Sequence, residues 1–134
     1  APIDQVKSVI DYAVSVIPKD KIIMGAPLYG YDWGLPYKKG GPPAKRLGPQ
    51  EAADLAKKEG AAVQYETRAQ APFFRYTDDN GKKHIVWFEN DRSMQAKFDL
   101  IKQYGLRGIA YWELGESFPK NWELLKKNFQ INRG

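Results

Sequence analysis

Two short apolar runs constrain this chain more than any other feature of it. Lys21-Ile22-Ile23-Met24-Gly25-Ala26-Pro27-Leu28-Tyr29-Gly30 is continuously apolar for six residues, and Gly108-Ile109-Ala110-Tyr111-Trp112 is a second run of the same type. A strand with one wet face alternates apolar and polar residues, whereas an unbroken run predicts a strand covered on both faces, as in a parallel sheet.

Helical patterns flank both runs. Ile3, Val6, Ile10, Ala13, Val14 and Ile17 fall on one helical stripe, which Pro18 stops. Met94, Phe98, Ile101 and Tyr104 form another, capped by Asn90 or Asp91, with the cap favoured for Asp91, and closed by Gly105. Pro119 opens a last helix that turns Trp122, Leu125 and Phe129 inward.

The stretch between the runs reads differently. From Gly34 to Pro49, 8 of 16 residues are Gly or Pro, which predicts a loop, and its order does not match a phosphate-cradling motif. A short helix follows Pro49 and ends at Gly60, and a strand is expected over Val63–Glu66. Phe73–Thr77 and His84–Glu89 read as a hairpin, because Asn80-Gly81 supplies the positive φ that a tight turn needs.

The order is therefore helix, strand, an α+β insertion over about 34–88, helix, strand, helix: an α/β chain. A length of 134 residues fits one ordinary domain. Two parallel strands covered on both faces cannot close a sheet alone, so the chain is expected to be part of a larger fold. The start at Ala1 rather than Met suggests a processed product or an excised piece.

Composition narrows the chemistry. Twenty-one Lys and Arg against 16 Asp and Glu give a net charge of +5, spread as pairs such as Lys38-Lys39 and Lys82-Lys83 rather than in a block. That balance favours anionic polymers without specifying one. A nucleic-acid interface would need a clustered basic stripe with interleaved aromatics, which is missing, so no nucleic-acid partner is expected. Without cysteine there is no disulfide or thiolate, and one histidine, His84, cannot build a His-rich metal site or supply a triad unaided. No metal and no cofactor are expected. No apolar run reaches the roughly 20 residues of a membrane helix, and the acidic residues among the first twenty argue against a signal peptide there.

Three segments in order, KIIMGAPLYGYDW (Lys21–Trp33), IVWFENDRSMQAKF (Ile85–Phe98) and GIAYWEL (Gly108–Leu114), resemble the C-terminal part of a glycoside hydrolase family 18, chitinase-like, barrel. The first looks like its seventh strand, the second like the exit from its insertion into the seventh helix, and the third like its eighth strand. The resemblance implies a portion of a (β/α)8 TIM barrel, with barrel elements over 1–33 and 89–134 and a small α+β insertion over 34–88. Within the family, YGYDW and VWFEN are most similar to the bacterial spore cortex-lytic N-acetylglucosaminidases, often joined to LysM modules. A cell-wall, spore or extracellular setting follows from that resemblance alone.

In such a barrel the active site lies at the C-terminal ends of the strands. Tyr29 and Trp112 stand at those ends, and an aromatic face suits the apolar face of a pyranose. The resemblance makes Trp112 the floor of the sugar site, with Tyr29 beside it. Trp33, Trp87 and Glu89 are weaker candidates: Trp33 for the cleft wall, Trp87 for the wall or the insertion's core, and Glu89 for sugar hydroxyls or a helix cap. Tyr31, a further sugar-contact candidate, stands where many chitinases have Arg. Glu113 and Glu116 look like a carboxylate pair, but such spacing is common by chance.

The family uses the substrate's own N-acetyl group as nucleophile. Its single protein acid ends a D-x-x-D-x-D-x-E run, which these 134 residues lack, so no catalytic residue is expected in this chain. The expectation is a fragment of a cell-wall glycan hydrolase acting on N-acetylglucosamine-containing polysaccharide, inactive alone and partnered by the missing N-terminal part of the barrel. The alternative is a non-catalytic carbohydrate-binding module. Open strand edges would also promote self-association of the fragment.

Overall fold

The computed structural model describes residues 2–112 and 118–129, without the side chain of Trp112. Helix α1 (Ile3–Val16) leads through a 3-10 turn at Lys19–Lys21 into β1 (Ile23–Pro27). Strands β2 (Gly30–Gly34) and β3 (Lys45–Leu47), helix α2 (Pro49–Lys58), and strands β4 (Gln64–Glu66), β5 (Ala71–Thr77) and β6 (Lys83–Trp87) follow. Helix α3 (Asp91–Tyr104), strand β7 (Gly108–Trp112) and helix α4 (Pro119–Asn128) complete the order.

The two apolar runs pair with each other. Strands β1 and β7 are parallel, with Ile23 opposite Gly108 and Pro27 opposite Trp112. Met24, Ala26 and Leu28 face the helices, where Ile10, Met94, Phe98, Leu100 and Ile101 close a buried core. Ile109 and Tyr111 pack against the same core. The opposite face is open within this chain, as befits strands that belong to a larger fold: Ile23 is 53% exposed, and Gly25 and Ala110 are exposed with it. Two strands carry too few neighbours to bury a second face.

The second sheet has the antiparallel order β3-β2-β6-β5-β4. It begins earlier than the sequence suggests. Gly30–Gly34 follows β1 after only two residues but pairs with β6 and β3, and β3 itself lies inside the expected Gly/Pro loop. Only Leu28 and Tyr29 separate the two strands, too short a stretch to read as a loop in the sequence. One face of this sheet packs Leu47, Phe74, Val86 and Phe88 against Ala52 and Ala56 of α2. In the β5–β6 turn only Gly81 takes a positive φ, +78°, so Gly81 alone supplies what was expected of the Asn80-Gly81 pair.

Asn90, not Asp91, caps α3. Its side chain accepts from the Ser93 backbone N–H at 2.9 Å while its own N–H donates to Ser93 Oγ at 2.9 Å. This reciprocal arrangement satisfies two donors at the helix start, leaving Asp91 as the first helical residue.

Candidate functional site

The C-terminal end of β1 opens into a cleft of about 420 Å³ lined by Pro27, Tyr29, Tyr31, Trp87 and Glu89, among others. Its geometry follows from strand parity. Tyr31 lies opposite Trp87 across β2 and β6, and Trp87 lies opposite Phe73 across β6 and β5. Residues directly opposite project from the same face, so these three rings share the face of the sheet turned away from α2. Trp87 and Phe73 have ring centroids 4.6 Å apart. Tyr29 meets Tyr31 edge-on at 5.6 Å, and Tyr31 meets Trp33 at 5.9 Å. The Arg46 guanidinium stands over the Tyr29 ring, 4.9 Å from its centroid.

The expected site residues thus divide. Tyr29, Tyr31, Trp87 and Glu89 line one cleft, with Trp87 on the open face rather than in the insertion's core. Trp33, expected on the cleft wall, belongs to strand β2 and lines a different cavity together with Tyr37. The backbone of Trp112 lies opposite Pro27, at the same end of the parallel pair as Tyr29. Its side chain, and the Glu113 and Glu116 pair, lie outside the described residues.

Glu89 is 4% exposed and already engaged from below. Oε1 accepts from Lys97 Nζ at 2.7 Å, and Oε2 accepts from Ser93 Oγ at 2.6 Å. Lys97 is itself 2% exposed, so α3 holds the base of the cleft through a buried ion pair. The sequence carried a sign of it: Lys97 falls between Met94, Phe98 and Ile101 on the inward stripe, where a buried ammonium requires a partner.

A second polar cluster went unread. Asp32, 8% exposed, accepts from Tyr76 OH at 2.5 Å, and its other oxygen is 2.7 Å from His84 Nδ1. His84 Nε2 is 2.8 Å from Asp78 Oδ2, and the imidazole stacks on the Tyr76 ring at 4.5 Å. Burial favours the neutral imidazole, but the bonds to Asp78 and Asp32 outweigh it and raise the His84 pKa. The His84 bond likewise holds the Asp78 carboxyl below its ordinary value. Burial and the Asp32 bond push the Tyr76 phenol up. Asp32 shares the inward parity of Gly30 and Gly34, and a carboxylate there was the available signal.

Among the described residues, no group of three or more His, Asp or Glu side chains is arranged to hold a metal ion. No helix of the described residues is long and apolar enough to cross a membrane.

Comparison with known proteins fits this geometry. The family model described as Glycosyl hydrolases family 18 matches residues 3–117. The chain is 55% identical over 131 residues to the cortical fragment-lytic enzyme of Bacillus subtilis (strain 168), covering 98% of this chain and 30% of that enzyme. The crystal structure of the Bacillus megaterium QM B1551 spore cortex-lytic enzyme SleL superposes with a TM-score of 0.97 at 58% identity, over 99% of this chain and 31% of SleL. The chitinase of Chromobacterium violaceum ATCC 12472 gives 0.85 at 32% identity, over 96% of this chain and 39% of that one. The chain therefore spans about a third of the length of the relatives it matches.

Proposed function

The chain belongs to glycoside hydrolase family 18, its fold being that of the C-terminal part of the family's TIM barrel, and from this we propose that it supplies the floor and one wall of a glycan-binding cleft. The enzyme it serves hydrolyses N-acetylglucosamine-containing polysaccharide of the cell wall, in a spore or extracellular setting. The observation that carries this reading is the convergence of Tyr29, Tyr31 and Trp87 on one cleft at the C-terminal end of β1. That is the end of the strands where barrel enzymes keep their sites.

Division of labour follows from the site's chemistry. Rigid aromatic rings stack on the apolar faces of sugars and lose little conformational freedom in doing so. Tyr29, Tyr31 and Trp87, with Trp112 as floor, orient the chain of sugars in this reading, and Trp33, which lines the neighbouring cavity, is not part of that wall. The carboxylate of Glu89, held by Lys97 and Ser93, presents a fixed acceptor edge at the cleft's base. The acid that protonates the leaving group comes from the remainder of the barrel, which is this segment's partner. Residues 1–29 and 89–134 contribute barrel elements in this scheme, and the insertion that raises the wall begins at Gly30 rather than at residue 34.

The test is a tryptophan-fluorescence titration with N-acetylglucosamine oligomers on the wild type, Trp112→Ala and Tyr31→Ala, paired with a hydrolysis assay. A saturable change weakened in both variants, with no hydrolysis by the chain alone, is the expected result. Hydrolysis by the purified chain, or binding indifferent to both substitutions, would overturn the proposal.

A further inference from the structure

A second cavity, of about 550 Å³, lies at the outer end of the antiparallel sheet. Its size suits a small organic ligand. Asp32, Trp33, Tyr37, Lys38, Lys82 and His84 are among the residues that line it, and none of its lining residues also lines the aromatic cleft.

The floor is electrostatically occupied. Asp32 is bonded to Tyr76 and His84, and His84 to Asp78, so the polar atoms there already serve one another. The rim is not. Lys38, Lys45 and Lys82 line the cavity against the single carboxylate of Asp32. Lys45 lies 3.7 Å from Glu51, with both side chains largely exposed. Among the described residues, no carboxylate pairs with the ammonium groups of Lys38 or Lys82. Lys82 is also aimed. A Cβ on Gly34 would meet its Cε at 2.7 Å and its Nζ at 2.9 Å, so the bare backbone of Gly34 is the bed on which this side chain lies. Beside it, Trp33 and Tyr37 stand edge to face, with centroids 5.5 Å apart.

We propose that this cavity binds a carboxylate-bearing ligand distinct from the sugars of the aromatic cleft. The ammonium groups of Lys82 and Lys38 pair with the carboxylate, and the rings of Trp33 and Tyr37 cover the ligand's apolar part. Neutral sugars lack the countercharge. Because the lysines are at a solvent-exposed rim, added salt weakens the complex. An acidic sugar and an acidic peptide offer the same chemistry, and the choice between them is experimental.

Amide chemical shifts of the isotopically labelled chain decide the matter in titrations with N-acetylmuramic acid, an alanyl-glutamate dipeptide and N-acetylglucosamine. At least one acidic probe is expected to shift Gly34, Gly41 and Lys82, and whichever acts identifies the carboxylate's source. The Lys38→Gln/Lys82→Gln variant should weaken that response about tenfold or more while leaving shifts at Gly30 and Ala71, in the other cleft, as in the wild type. The proposal is overturned by no response to either acid, by an equal response to N-acetylglucosamine, or by shifts that survive the double substitution. Sugar binding in the aromatic cleft is read separately at Gly30 and Ala71, so the two sites succeed or fail independently.

Discussion

Gly30 lies against the backbone of Trp87: a Cβ placed on Gly30 would stand 2.2 Å from the Trp87 carbonyl oxygen and 2.7 Å from Phe88 Cα. Contacts under 3 Å with main-chain atoms cannot be relieved by rotating a side chain, so strand β2 approaches β6 only because residue 30 has none.

Gly30→Ala is therefore expected to destabilise the chain by about 1–3 kcal/mol, the range for overpacking a core, and to displace Tyr31 from Trp87. Gly108→Ala is the control, because nothing lies within 4 Å of its added Cβ. Its effect should stay within about 0.5 kcal/mol. Urea denaturation of both variants checks the pair, and equal losses would contradict the assignment.

The His84 cluster makes stability depend on pH. Its folded pKa is raised, so its contribution is complete below the unfolded value of about 6.5 and is lost as pH rises through the folded value. Asp78 acts in the opposite direction: its folded pKa is lowered, so its contribution is present above the unfolded value and disappears as pH falls through the folded one. Thermal melts of the wild type should show a lower Tm at pH 9 than at pH 6. In His84→Gln that difference should shrink, with the larger loss of Tm at pH 6.

Glu89→Gln leaves the Lys97 ammonium buried without a countercharge. Removing one partner of a buried pair costs about 3–5 kcal/mol, whereas replacing both with apolar residues is often neutral. Glu89→Gln should lower the urea midpoint sharply, and Glu89→Leu with Lys97→Met should recover most of it. Ser93 Oγ, 3.1 Å from the Asn90 carbonyl in the wild type, has that acceptor at hand when the Glu89 carboxylate is removed. A double variant no better than the single one would show that the pair is worth more than its own desolvation.

Tyr31 is 38% exposed, which makes it the cleanest probe of the sugar wall. Tyr31→Ala removes one stacking surface, worth about 0.5–1.5 kcal/mol for an aromatic contact, and should weaken binding of N-acetylglucosamine oligomers several-fold. Calorimetry on the wild type and variant, with unchanged urea midpoints as the folding control, measures the loss.

The helices, the parallel pair and the β5–β6 hairpin were legible because each rests on a local signal: the stripe through Ile3, Val6 and Ile10, the apolar runs, the glycine at position 81. Tyr29 and Trp87 were legible as candidates through their motifs, and only the register of β2 on β6 could show that Tyr31 and Trp87 stand side by side. The second sheet's start at Gly30 was hidden because only Leu28 and Tyr29 separate strands that belong to two sheets. Asp32 and His84 are 52 positions apart, and nothing local to either residue announces the other.

The joint between the two sheets has a mechanical meaning. Only Leu28 and Tyr29 separate β1 from β2, and Leu28 is fully buried in the helical core. A connection this short, with one of its two residues pinned in the core, leaves little slack between the sheets. Tyr31 and Trp33 are carried on the segment that leaves the barrel strand directly, within four to six residues of Pro27. The loop over residues 36–44 lies on the far side of this joint, where it lines the cavity of about 550 Å³ rather than the aromatic cleft, so its charge and length bear on that cavity.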